Sequence, residues 1–270
     1  MSNVKTFNNF KIHTQYSICE GAIKIDDLAL HCKENKIPNI GICDSLNLCG
    51  ALEFAEKVSK SGTHPIIGTQ INFSLENSIG KLPLFATTAH GYKNLIKLSS
   101  KSYLDSNERA DPHCKIDQLK SINEGLILMS GNHHGLFGEL FKLNKLKQIE
   151  ETLKNLKNIF KDRFYLEIQR HNEVGEENYE NFIIKLSEVN QIPLMATQEI
   201  FYLKKEMYEA HDALVCIGQK NFVDDPNRIK FSDQHFVKNN DDIISLFSDI
   251  PEALENNYNF PYRFNFKPKK

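Results

Sequence analysis

Tryptophan is absent from the 270 residues, and arginine occurs five times among 33 basic side chains. Bidentate clamps on phosphate or guanine depend on the arginine fork, so few can be built here. Neither sign of charge is in excess: 33 basic against 35 acidic residues gives a formal net charge of −2. Such a chain has no overall basic field with which to hold a nucleic-acid backbone. Any role on nucleic acid must come from a local patch or a larger assembly. No apolar run approaches the ~18 residues that span a bilayer, so no segment is expected to cross a membrane. The opening MSNVKTFNNFKIHTQYS lacks the charged-then-apolar pattern of a secretory signal. None of the six cysteines forms a C-x-x-C pair, which argues against a zinc ribbon or a redox couple. The expectation is a cytoplasmic protein with reduced thiols. Nucleotide-loop, dinucleotide, nucleophile-elbow and H-E-x-x-H signatures are all missing.

What is present is an ordinary globular composition, 40% hydrophobic and 25% charged. Short apolar or alternating runs predict strands over 9–14 (NFKIHT), 39–43 (NIGIC), 65–73 (PIIGTQINF), 82–87 (LPLFAT), 125–130 (GLILMS), 163–169 (RFYLEIQ) and 192–197 (IPLMAT). Helical periodicity is clearest over 143–160, where Leu143, Leu146, Ile149, Leu153, Leu156 and Ile159 recur every three or four residues. It recurs over 176–189, on Tyr179, Phe182, Ile183, Leu186 and Val189, and more weakly over 25–36, 48–60 and 204–217. Seven strands alternating with helices predict an α/β fold on a parallel sheet, either closed into a barrel or doubly wound. The chain reads as one domain over 1–270: a barrel over about 6–217 and a polar, turn-rich extension over 218–270. The stop at Lys270 reads as a cut within something longer.

Ligand-type side chains fall at or just past the predicted strand ends, or, for Gln70, within the third strand. They are His13 and Glu20, Asp44 and Ser45, Gln70, then Asn132, His133 and His134, then His171, then Gln198 and Glu199. In a barrel the C-terminal rim carries the chemistry, and several strand ends supplying one rim is the pattern of a multi-residue metal site. The plainer alternative stays open, because strand-to-helix loops are polar anyway. Asp44–Ser45 suits a helix cap and His133–His134 suits a solvated loop. His211 reads as a packed, hydrogen-bonded histidine on an amphipathic helix. The Lys-rich stretch 142–161, interrupted by Glu150 and Glu151, reads as a solvated face.

The segments FKIHTQYSICEGA, IGICDSLNLCGALEFAEK, PIIGTQINF, GYKNLIKLSS, EGLILMSGN, FYLEIQRHN, IPLMATQEIFYL and EAHDALVCIG, in that order, resemble the PHP (polymerase and histidinol phosphatase) family. The tail DDPNRIKFSDQHFVKNNDDIISLFSDIPEALENN is similar to the segment that follows the PHP barrel in the bacterial replicative DNA polymerase III alpha subunits. The resemblance covers nearly the whole chain and implies a distorted seven-stranded (β/α) TIM-like barrel. Members with an intact site hold a cluster of divalent metals on the C-terminal rim. Their opening H-x-H works because residues i and i+2 of a strand point to one side. Here that pair is Lys11 and His13, and Glu20 stands where an Asp is usual. The usual Asp-His is Asp44–Ser45, and the usual Glu is Gln70. A Cys or His position is Asn132, and the final His is Phe201.

By that resemblance the metal remnant is His13, Glu20, Asp44 and Glu199, with substituted positions at Lys11, Ser45, Gln70, Asn132 and Phe201. Losing several direct ligands costs more than the 10–100-fold typical of outer-sphere changes, so no cofactor is expected. The Lys11 ammonium is expected to neutralise Glu20, Asp44 or Glu199. The implied function is a non-catalytic domain of a replicative polymerase. It would be a scaffold and docking platform for the proofreading exonuclease and other replicase subunits, meeting DNA only through the parent polymerase. No candidate pair of polymerase carboxylates occurs in the segment. The alternative is an active phosphoesterase or 3′–5′ exonuclease using zinc, manganese or magnesium on His13, Glu20, Asp44, His171 and Glu199, with His133 or His134 replacing the ligand missing at Asn132.

Overall fold

The computed structural model describes residues 5–106 and 111–269; Arg109 and Lys270 lie outside them. Nine strands occur among the described residues. They are β1 (Lys11–Ile12), β2 (Asn39–Ser45), β3 (His64–Leu75), β4 (Ser78–Ala86), β5 (Cys114–Lys115), β6 (Leu126–Met129), β7 (Phe164–Ile168), β8 (Leu194–Ala196) and β9 (Glu199–Ile200). They form one sheet in the order β8-β7-β6-β4-β3-β2-β1-β9, with β5 paired to β3 off that path. The two ends of the path lie in a single stretch of chain. β8 pairs with β7 and β9 pairs with β1, with Thr197 and Gln198 between them. The sheet therefore curls until its edges are carried by adjacent residues, which is the distorted barrel.

Two expectations are corrected. The seventh strand, predicted over 192–197, is the shorter β8, and a further strand that the pattern did not predict, β9, follows it. The runs at 65–73 and 82–87 belong to an antiparallel hairpin, with Gly68 opposite Phe85 and Leu75 opposite Ser78. No helix fits in its two-residue turn, where Glu76 adopts φ 51°, so β4 also runs antiparallel to β6. The rest of the sheet is parallel.

Helices cover the outside. α1 (Ile25–Glu34) and α2 (Ala51–Lys60) bury Leu28, Phe54 and Val58 against Ile40, Ile42 and Ile67. α3 (Ala89–Leu104) begins at Thr88, whose hydroxyl accepts from Gly91 N at 3.0 Å, a side-chain cap. The helix expected over 143–160 is found but begins only at Leu146. α4 (Leu136–Lys142) ends first, Asn144 turns left-handed at φ 57°, and α5 (Leu146–Phe160) follows. Leu143 is consequently exposed, whereas Ile149, Leu153, Leu156 and Phe160 are buried. α6 (Glu176–Asn190) buries Tyr179, Ile183 and Leu186 but leaves Val189 in solvent. α7 (Tyr208–Gln219), α8 (Asn240–Leu246) and α9 (Pro251–Asn259) complete the set. None of these helices is long and apolar enough to cross a membrane.

The barrel interior follows the strand period of two. Cys43, Ile66, Phe85, Ile127, Met129, Tyr165 and Met195 fill it at one end with Phe10. Phe260, just after α9, packs among them 4.3 Å from Phe10 and 5.5 Å from Phe85, ring to ring. Further along β7 the same side turns polar, Tyr165 being followed by Glu167 and Gln169, and past Met195 of β8 come Thr197 and then Glu199 of β9. One alternation thus builds both an apolar plug and a polar rim.

Candidate functional site at the barrel rim

The centre of the rim is a buried charge cluster. Lys11 Nζ lies 2.8 Å from Glu167 Oε1 and 3.8 Å from Glu199 Oε2. Glu199 Oε1 lies 2.8 Å from His13 Nε2 and also accepts from Gln70 Nε2. Glu199 Oε2 accepts from Asn132 Nδ2 at 2.6 Å. Gln169 links the two carboxylates: it donates to Glu167 at 2.6 Å and accepts from Asn132 at 2.9 Å, while Thr197 also donates to Glu167. Burial pushes the Lys11 amine down, but Glu167 and Glu199 outweigh it and hold the ammonium above its ordinary value. Burial pushes the Glu199 carboxyl up, and Lys11 and His13 more than reverse this, holding it well below the usual range.

A second group lies beside it. Asp44 Oδ1 accepts from Thr14 N at 2.6 Å and Ser17 Oγ at 2.7 Å, and Oδ2 accepts from Thr14 Oγ1 at 2.7 Å. Burial outweighs these donors and raises the Asp44 carboxyl. Glu20 pairs with Lys81, whose ammonium also donates to Ser45 Oγ at 3.0 Å. Burial would raise the Glu20 carboxyl, but Lys81 holds it below the ordinary value. Of the three carboxylates expected to meet Lys11, only Glu199 does; Lys81 takes Glu20, and hydroxyls take Asp44.

Phe201 fills an aromatic cluster, with ring centroids 4.8 Å from His13, 5.2 Å from His211, 4.9 Å from Phe231 and 5.0 Å from His235. His211 Nε2 donates to Glu20 O at 2.8 Å, the packed, hydrogen-bonded role its helix position suggests. Gln198 turns away and donates to Gln234 O at 2.8 Å. His171 also stands apart: it stacks on His235 at 4.0 Å and faces Glu176, and burial lowers it to about 4.

Sequence reasoning missed Glu167, Lys81, Glu173 and His235. Two of these carried a signal. Glu167 interrupts an apolar strand at the position that shares a side with Tyr165. Lys81 shares a side with Phe85 in its strand. Glu173 and His235 lie in irregular segments and carry no periodic mark.

These donors do not suit a cluster of divalent cations. Two ammonium groups and two amide N–H groups point at the carboxylates that a cation would need, and Asp44 has both oxygens engaged. Among the described residues, one set of three His, Cys, Asp or Glu side chains brings ligand atoms within 4.8 Å of one another: His133, His134 and Glu173, at the edge of the rim. The rim itself opens into a cavity of about 690 Å³, lined by Glu20, Lys81, Asn132, His134, Glu199 and Phe231 among others.

The family described as the PHP domain matches residues 9–171. The chain is 34% identical to the DNA polymerase III subunit alpha of Caulobacter vibrioides over 275 residues, covering 98% of this chain and 24% of that protein. The same subunit of Rickettsia bellii is 34% identical over 96% of this chain and 22% of its own length. That of Pseudomonas aeruginosa is 31% identical over 97% and 23%. The chain thus spans about a quarter of the length of the curated relatives it matches. Among solved structures, a putative metal-dependent phosphoesterase from Bifidobacterium adolescentis overlays 71% of this chain and 86% of its own, with a TM-score of 0.45 and 12% identity.

Proposed function

Because the chain belongs to the PHP domain family, we propose that it is the PHP domain of a bacterial DNA polymerase III alpha subunit and serves there as a structural platform rather than a hydrolase. The near-complete cover of this chain by relatives of that name, at 31–34% identity, supports the parent assignment. The observation that carries the non-catalytic reading is Lys11. Its buried ammonium fills the centre of the rim, between Glu167 and Glu199. An ammonium neutralises two carboxylates much as a metal would, but it offers no Lewis acidity and no activated water. The rim then stabilises the barrel. The parent chain performs nucleotidyl transfer and contacts DNA, while this domain docks the proofreading exonuclease and other replicase subunits.

Two experiments test this. Hydrolysis of a p-nitrophenyl phosphodiester and of a 3′-ended oligonucleotide is assayed with magnesium, manganese or zinc. Turnover is expected to stay at the level of Glu199→Ala; turnover that falls in Asp44→Asn and Glu199→Ala overturns the structural reading. Size-exclusion chromatography of the full-length gene product with the proofreading exonuclease is expected to give a shared peak. Separate elution at micromolar concentrations removes the docking role.

A further inference from the structure

We infer that His133, His134 and Glu173 form a binding site for one zinc-type transition-metal ion at the edge of the rim, outside the Lys11 cluster. The inference does not depend on the parent chain being a polymerase.

The turn after β6 aims two consecutive imidazoles the same way. Gly131 adopts φ 78°, Asn132 Oδ1 accepts from His134 N at 3.0 Å, and Gly135 N donates to Asn132 O at 2.9 Å. The rings of His133 and His134 consequently lie 3.8 Å apart, centroid to centroid. Both Nε2 atoms meet one oxygen of Glu173: His133 Nε2 is 3.1 Å and His134 Nε2 2.5 Å from Oε2. The other oxygen, Oε1, is already held, by His235 Nε2 at 2.9 Å and by Ser232 N at 3.2 Å. Such outer partners fix the orientation of a coordinating carboxylate and leave its second oxygen for the metal.

A second observation points to a ligand. His133 is 5% exposed, and its Nε2 makes no hydrogen bond despite its approach to Glu173. A buried imidazole nitrogen without a hydrogen bond costs free energy that a coordinate bond would recover. In a tetrahedral zinc site, bonds of about 2.0–2.1 Å put neighbouring ligand atoms roughly 3.3 Å apart. The three donors lie within 4.8 Å of one another. The tightest contact is made by His134, whose side chain is 42% exposed and has room to withdraw.

Two imidazoles and one carboxylate suit zinc or another borderline ion, whereas magnesium prefers oxygen donors alone. Three protein ligands leave one position for water, and His134 places it beside the rim cavity. The ion would pin together the loops that follow β6 and β7 and, through His235, the segment after α7.

The test is titration of the chelator-stripped protein with zinc chloride against a chromophoric competitor, followed by cobalt(II) absorption. The expected result is one equivalent, micromolar or tighter, with the visible bands of four-coordinate cobalt. His134→Ala and Glu173→Gln should each weaken binding at least tenfold, while Asp44→Asn and Glu20→Gln leave it unchanged. His134 is exposed enough that its truncation spares the fold, which circular dichroism verifies. Absence of a stoichiometric site overturns the inference. So does binding that survives both His134→Ala and Glu173→Gln. If such binding is lost in Asp44→Asn, the ion sits in the barrel centre, and the structural reading of the rim fails instead.

Discussion

Lys11 and Glu167 form an ion pair of 2.8 Å in which the two side chains are 1% and 0% exposed. They come from β1 and β7, strands that are not neighbours in the sheet, so the pair crosses the barrel interior. Two charges so far from water are tolerated only because each is compensated: the ammonium by a second carboxylate, Glu199, and Glu167 by Gln169 and Thr197.

Removing the ammonium should therefore be costly. Lys11→Met leaves Glu167 and Glu199 facing each other unneutralised, and a loss of about 3–5 kcal/mol is expected in denaturant unfolding. Adding Glu167→Gln to Lys11→Met should recover part of it. A single-variant loss under about 1 kcal/mol would show that the pair does not hold the rim together.

Phe201 is predicted to be a packing residue. Its ring touches His13, His211, Phe231 and His235, and it is 1% exposed. Phe201→Ala should cost about 3–5 kcal/mol, and Phe201→Leu clearly less. Equal losses in the two variants would argue for a role other than filling volume.

Gly138 lets α4 lie against the turn that carries the histidine pair. A Cβ there would meet His133 O at 2.1 Å. The nearest atoms, O, C and Cα of His133, are all backbone, so no side chain can swing away. Gly138→Ala should destabilise by about 1–3 kcal/mol, measured by thermal melting, despite the better helix propensity of alanine. A rise in Tm would mean that the turn yields freely.

His211 gives a pH dependence of known sign. Burial lowers its pKa from 6.5, so the folded state resists the proton that the unfolded state accepts. Its contribution to stability is complete above pH 6.5 and declines as the pH falls below that value. Melting temperatures recorded from pH 7.5 to 5.5 should fall, and His211→Gln, which keeps a donor for Glu20 O, should flatten part of that slope. An unchanged slope in the variant would assign it to other groups.

Much of the fold was legible from local pattern. β6 (LILM) and the Ile40–Cys43 stretch of β2 are continuous apolar runs because both of their faces are covered. α2, α5 and α6 show the 3.6-residue stripe because one face of each meets the sheet. Most of the rim residues also followed from position alone. A polar residue at or just past the end of an apolar strand is delivered to the barrel mouth, which is how His13, Asp44, Asn132 and Glu199 could be named, whereas Gln70, inside its strand, was singled out by the family resemblance. The order of motifs added the family. What the sequence could not carry was partnership across the barrel, since that depends on curvature accumulated over eight paired strands rather than on any local spacing. Curvature gave Lys11 to Glu167, gave Lys81 to Glu20, and carried β8 and β9 to opposite ends of the sheet path within one short segment. It also brought Glu173 and His235, from two irregular segments 62 residues apart, onto His133 and His134.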